Sequence, residues 1–210
     1  MKQLKNLITD KEDLVFNMQE IVIATSNPHK LEEIKLIADA NNITFTLAPK
    51  EFNPVENGTT FEENSFIKAN CASKLTQKIS LADDTGLCVD YLNGAPGLHS
   101  ARYADTQEEK INKLLSELEN VSYEKRTAHF SCVMTLCDKD GNLIHQTNGR
   151  VDGHIIEKAK GINGFGYDPI FFIDSLNKTM AEMTIQEKNT LSHRAIALKK
   201  MIEFIKEFIN

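Results

Sequence analysis

An α/β fold with a mixed β-sheet is what the sequence predicts, and three observations predict it. Residues 21–24, Ile-Val-Ile-Ala, form a short apolar run that a turn joins to a helical repeat of Leu31, Ile34 and Ile37 or Ala38. Residues 126–137 alternate instead, with Phe130, Cys132, Met134 and Leu136 on one side, and Asp138-Lys139-Asp140-Gly141 reads as a hairpin turn into residues 142–146. The chain closes on an amphipathic stretch with Leu198, Ile202, Ile205 and Ile209 at helical spacing. A strand-turn-helix unit at one end and an antiparallel hairpin in the middle make the sheet mixed.

Taken in order, residues 1–20 show no strong periodicity and read as an N-terminal extension to a domain over 21–210. In Thr25-Ser26-Asn27-Pro28-His29-Lys30, Ser26 or Asn27 can cap the helix and Pro28 suits its first turn. Backbone N–H groups and the helix dipole make an anion site there, with Lys30 beside it. The Gly-x4-Gly-Lys spacing of a Walker A loop is absent. Residues 43–47 read as a strand, and residues 48–58, with Pro49, Pro54 and Gly58, as a loop. Thr60 and Glu63 have the spacing of a capping box. On the helix they open, Asn64 and Lys68 lie one turn apart, by itself the pattern of a solvated polar face. Residues 93–103, with three Gly or Pro positions, predict an ordered loop rather than a helix. Thr106 and Glu109 then cap a helix whose Ile111, Leu114, Leu115 and Leu118 form a core stripe. Residues 151–156 read as one more strand, after the hairpin.

Chemistry concentrates in three segments. The apolar run at residues 79–82 stops at Asp83 and Asp84, with Thr85 and Gly86 following. Two carboxylates at the end of a buried strand are costly unless compensated, and a divalent cation is the usual compensation. An acid beside a metal can also activate water. The plain alternative is a polar turn. In Gly161-Ile162-Asn163-Gly164-Phe165-Gly166-Tyr167-Asp168 the three glycines allow close backbone approach, and the spacing is not that of a dinucleotide fingerprint. The last helix, expected from Ile185 or Asn189 to Phe208, starts with Lys188, Ser192, His193 and Arg194. Cations at a helix N-terminus oppose its dipole, and such a local conflict marks a functional site or a solvated basic turn.

Composition narrows the classes. At 210 residues, 41% hydrophobic and 26% charged, the chain fits one large domain or two small lobes on a shared core. A net charge of −6 argues against nucleic acid or an anionic membrane as partner. No stretch has the length of a membrane helix, and residues 1–20 lack the continuous apolar core of a secretory signal. Cys71, Cys88, Cys132 and Cys137 form no Cys-x-x-Cys pair and are expected as buried free thiols, which suits a cytoplasmic protein.

Together the ambiguous segments resemble the inosine triphosphate pyrophosphatase family. Thr25-Ser26-Asn27-Pro28-His29-Lys30 is similar to the family's Thr-Gly-Asn-x-x-Lys. Phe61-Glu62-Glu63-Asn64-Ser65-Phe66-Ile67-Lys68-Ala69, Ala82-Asp83-Asp84-Thr85-Gly86-Leu87, Gly94-Ala95-Pro96-Gly97 with Ser100-Ala101-Arg102-Tyr103, Phe165-Gly166-Tyr167-Asp168-Pro169-Ile170-Phe171 and Ser192-His193-Arg194 follow in the family's order. Ser26 stands where the family usually has Gly, which is expected to tighten the turn, and residues 49–58 diverge. The resemblance implies an elongated two-lobed α/β fold, a mixed twisted sheet, a nucleotide cleft between the lobes, a homodimer and Mg2+ dependence. It implies hydrolysis of ITP, dITP and XTP to the nucleoside monophosphate and pyrophosphate.

Carried residue by residue, the resemblance makes Asp84 the general base and a metal ligand, with Glu56 as second ligand. It sets Lys30, Lys68 and the amides of Thr25, Ser26, Asn27, Pro28, His29 and Lys30 against the triphosphate, Pro28 contributing position rather than an N–H. Thr85 adds a hydrogen bond to substrate. Phe165 stacks on the purine, flanked by Gly166 and Tyr167, and Asp168 accepts from ring N–H groups. Lys188, His193 and Arg194 sit at the 6-oxo edge and at nearby phosphate or ribose. Donors aimed at a 6-oxo group meet another donor in adenine, a mismatch worth about 10⁴ in selectivity. Two other readings carry the same residues: a hydrolase of modified pyrimidine triphosphates and a non-catalytic nucleotide-binding regulator.

Overall fold

The computed structural model describes residues 20–39, 41 and 43–209. Of the extension expected over residues 1–20, residues 1–19 lie outside them, as does the side chain of Ile209, while Glu20 begins the first strand. Strand β1 (Glu20–Ile23) leads into helix α1 (Pro28–Asp39). The Asn27 carboxamide accepts from the N–H groups of His29 and Lys30 at 3.0 and 3.4 Å, so Asn27 rather than Ser26 caps. Strand β2 (Thr44–Leu47) follows, then α2 (Phe61–Thr76), where the Thr60 side chain accepts from the Glu63 N–H. The Glu63 carboxylate takes its nearest donors one residue earlier than a capping box requires, the N–H and hydroxyl of Thr59. After β3 (Ser80–Val89) comes α3 (Gln107–Glu117), whose Thr106–Glu109 capping box is complete. Then follow β4 (Thr127–Cys137), β5 (Leu143–Ile155), β6 (Phe171–Ile173), β7 (Lys178–Thr179), α4 (Ile185–Leu191) and α5 (His193–Ile209).

The strands form one seven-stranded sheet in the order β2-β1-β3-β4-β5-β6-β7. β1 runs parallel to β2 and β3, and every later pairing is antiparallel, so the sheet is mixed as expected.

Four elements differ from expectation. Strand β3 does not stop at the acids: an unbroken antiparallel register with β4 sets Asp83 opposite Met134 and Asp84 opposite Val133. The ladder supplies the backbone partners that a turn would otherwise supply. Residues 143–155 are one strand rather than two. Gly149 lies inside it, where a Cβ would lie 2.0 Å from the His193 carbonyl oxygen, so the glycine lets α5 rest on β5. Residues 97–102 form a 3-10 helix instead of a loop. The last helix is two, parted by an extended Ser192 whose hydroxyl accepts from the Ala195 N–H at 3.2 Å and caps α5.

The long strands cross two large cores and contribute Ala82 and Cys137 to a smaller third. Ile21, Ile34, Leu81, Met134 and Leu198 belong to one large core, and Leu87, Leu114, Phe130, Ile155 and Phe171 to the other. On β3 the run Asp83-Asp84-Thr85-Gly86 lies at the seam between them. Of the four free thiols, Cys132 and Cys137 are buried and Cys71 and Cys88 only half-buried. Among the described residues no helix is long and apolar enough to cross a membrane.

Candidate active site

Neighbouring residues of a strand point to opposite faces of the sheet. Because β3 is continuous, Asp83 and Asp84 therefore diverge and do not compensate as one pair. Asp83 turns toward α1 and α5, where Lys30 Nζ lies 2.8 Å and Arg194 Nη2 3.3 Å from its Oδ2. Burial by itself would raise its pKa, but the Lys30 and Arg194 charges outweigh burial and hold the carboxyl far below the usual range. Asp84 turns toward α2, where Lys68 Nζ stands 2.6 Å from Oδ1 and 3.1 Å from Glu56 Oε2. Burial pushes the Asp84 carboxyl up, and the Lys68 and Lys30 charges offset only part of that.

Asn64 and Lys68 are buried, not solvated, because this face of α2 packs on the sheet. Asn64 accepts the Gly58 N–H at 2.9 Å and so ties down the loop that carries Glu56. The turn before α1 also differs from a free anion cradle. The Asn27 N–H donates to Thr25 Oγ1 at 3.2 Å, and those of His29 and Lys30 go to Asn27. Lys30 Nζ keeps donors beyond the one Asp83 uses.

On the other side of the seam, Lys188 Nζ is 2.7 Å from both Glu33 Oε1 and Asp168 Oδ2. Arg194 bridges Glu33 and Asp83. Lys188 occupies the last turn of α4, so it does not oppose that helix dipole, and Arg194 meets two carboxylates that cancel the conflict on α5. Asp168 also accepts the Phe165 N–H at 2.8 Å. Gly164, at φ 72°, is where the backbone comes closest: a Cβ would lie 2.2 Å from Asp168 Oδ2. The Phe165 ring has Lys188 Nζ 4.9 Å and Arg194 Cζ 5.7 Å over its centroid. The Gly166 N–H donates to Gln107 at 3.0 Å, and the buried Tyr167 hydroxyl donates to the Ser100 carbonyl at 3.1 Å. Thr85 donates to Asp83 at 2.8 Å.

His193 is buried, stacks on Phe130 at 4.7 Å, and its Nδ1 has no hydrogen-bond partner among the described residues. Burial, then the Arg194 and Lys188 charges, hold its pKa well below the ordinary value. The folded protein therefore refuses a proton that the unfolded chain takes up below about pH 6.5. Unfolding then binds protons, so stability falls as pH drops from that value toward the depressed one. Urea unfolding between pH 7.5 and 5.5 should show this loss, and His193→Phe should flatten the slope by up to about 1.4 kcal/mol per pH unit. An identical slope in the variant would remove His193 as a source.

One cleft of about 540 Å3 is lined by Thr25, Ser26, Asn27, His29, Lys30, Glu56, Lys68, Asp84, Thr85, Phe165, Gly166, Tyr167, Asp168, Lys188, His193 and Arg194. Pro28, expected beside substrate, does not line it. Sequence reasoning missed Glu33, the centre of the charged network. Its signal was its place next to Ile34 on the buried stripe of α1. Gln107 and Phe130, which support the Phe165 loop and His193, carried no signal.

Asp84 and Glu56 could hold a cation: Lys68 Nζ touches both, so their oxygens converge. Among the described residues no group of three or more His, Cys, Asp or Glu side chains is placed to hold a metal ion. A donor set of two carboxylates is of the oxygen kind that Mg2+ takes, and Asp84 and Glu56 would be the residues to hold it.

Comparison with known proteins matches this chain over most of its length. The Ham1 family model matches residues 21–204. A dITP/XTP pyrophosphatase of Thermoanaerobacter pseudethanolicus is 45% identical over 193 residues, covering 89% of this chain and 96% of that one. A dITP/XTP pyrophosphatase of Bacillus subtilis is 44% identical over 194 residues, covering 90% and 98%. Among solved structures, a HAM1 protein from Coxiella burnetii superposes with a TM-score of 0.82 at 40% identity, covering 90% of this chain and all of that one.

Proposed function

We propose that this chain, which belongs to the Ham1 family, hydrolyses dITP, XTP and ITP to the nucleoside monophosphate and pyrophosphate. The observation that carries the proposal is a single cleft with two chemically distinct ends. One end holds Asp84, Lys68 and Glu56, and the other Phe165, Lys188, Asp168 and Arg194. The names of the relatives supply the substrate class.

In this reading Asp84 accepts the proton of the attacking water, a task helped by a pKa above that of an exposed carboxylate. Lys68 holds the ionised carboxylate in place and, with Lys30, offsets charge on the triphosphate. Phe165 offers a face to the purine, and Lys188 and Arg194 offer donors to its 6-oxo edge. Mg2+ held by Asp84 and Glu56 would supply Lewis acidity toward the phosphates. Four free thiols support a reducing cytoplasm, and the family resemblance supports a homodimer, which light scattering on the purified protein tests.

A pyrophosphate-release assay across purine and pyrimidine triphosphates, with and without Mg2+, tests the proposal. Pyrophosphate, not orthophosphate, is expected from dITP, XTP and ITP, with ATP slower by about 10³ or more. Equal turnover of ATP, or preference for a modified pyrimidine, would overturn the substrate class. Full activity in EDTA would overturn the Mg2+ site.

A further inference from the structure

We propose that His29 is the outer wall of the base site: the purine enters between its imidazole and the Phe165 ring, and His29 stacks on the base's far face. The inference rests on reading Phe165 as the base platform. The two rings already lie nearly parallel, 14° apart, with centroids 5.2 Å from one another. Both line the cleft.

A base that stacks on Phe165 must share the ring with what now covers it. Lys188 and Arg194 approach the ring, but both are buried and held by Glu33, with Asp168 and Asp83 as further partners. They cannot yield without breaking that network. His29 is exposed, and its imidazole makes no hydrogen bond among the described residues. Its backbone N–H is tied to Asn27 at 3.0 Å. His29 is therefore the group that moves. Since the planes are already parallel, opening the centroid separation to about 7 Å admits a flat ring with little reorientation. The imidazole then exchanges its contact with Phe165 for one with the base.

Purine faces differ little from one base to the next, so stacking is tolerant of base identity. His29 accordingly adds affinity without adding choice, while the edge-facing donors choose.

The test compares His29→Ala and His29→Phe in the full chain, with ITP and XTP as substrates. The alanine variant should raise KM about tenfold for both substrates, with a smaller change in kcat. Phenylalanine, which keeps a ring and loses the imidazole nitrogens, should restore most of the loss. An NMR titration of ITP into the Asp84→Asn protein should show His29 ring protons contacting the purine. An unchanged or lowered KM in the alanine variant would overturn the proposal, as would failure of phenylalanine to restore it. If the wild-type protein releases no pyrophosphate from ITP, the functional reading has failed, a different result from a silent His29.

Discussion

Asp84→Asn is expected to lower turnover of ITP by about 10³ while leaving the protein folded and able to bind nucleotide. The variant removes the proton acceptor and one charge but keeps the side chain's shape. Its effect on stability follows from the environment. Burial raises the Asp84 pKa more than Lys68 and Lys30 lower it, so the fold does not favour the ionised form. A neutral amide at this position costs the fold little, and Lys68 retains Glu56 as a partner. Single-turnover kinetics with ITP, ITP binding by calorimetry and a thermal melt together check the claim. Retention of more than about a tenth of the wild-type rate would remove Asp84 as the base. A loss of fold would show that its charge holds the structure instead.

How much of this was legible in the sequence depends on which physical rule was local. The Asn27 cap, the Thr106–Glu109 box and the alternation of β4 depend on residues a few positions apart, and all three stand. The acidic run was located correctly but given the wrong backbone. Asp-Asp-Thr-Gly has turn chemistry, and only the partner strand β4 decides that it continues as strand. That one change sends the two acids to opposite faces, so it alters the chemistry as well as the drawing. The single strand over 143–155 was read as two for a related reason: Gly149 within it serves a contact with α5, more than forty residues later. Glu33 was missed because its partners, Lys188 and Arg194, are remote in sequence. The candidate cleft residues nevertheless converge, with Pro28 the exception.

Asp83→Asn is expected to do the reverse of its neighbour's variant and destabilise the protein by about 3 kcal/mol. For a chain of this size that is a fall of roughly 6–12 °C in Tm. Of the two neighbouring acids, Asp83 is the one whose pKa the fold depresses, because Lys30 and Arg194 stand within 2.8 and 3.3 Å. Replacing it leaves the buried Arg194 and the half-buried Lys30 with less compensation, and Arg194 keeps Glu33 as its carboxylate partner. The pH dependence has a definite sign. A depressed carboxylate contributes stability that is fully present above the unfolded pKa, about 3.9, and is lost as pH falls through the folded value. The gap between wild type and variant should therefore be constant from pH 7 to 5 and shrink below pH 4. Urea unfolding of Asp83→Asn and Asp84→Asn side by side measures both effects. If the two variants lose equal stability, the two acids do not occupy the separate environments that opposite faces of β3 impose, and the division between a structural and a reactive carboxylate falls with it.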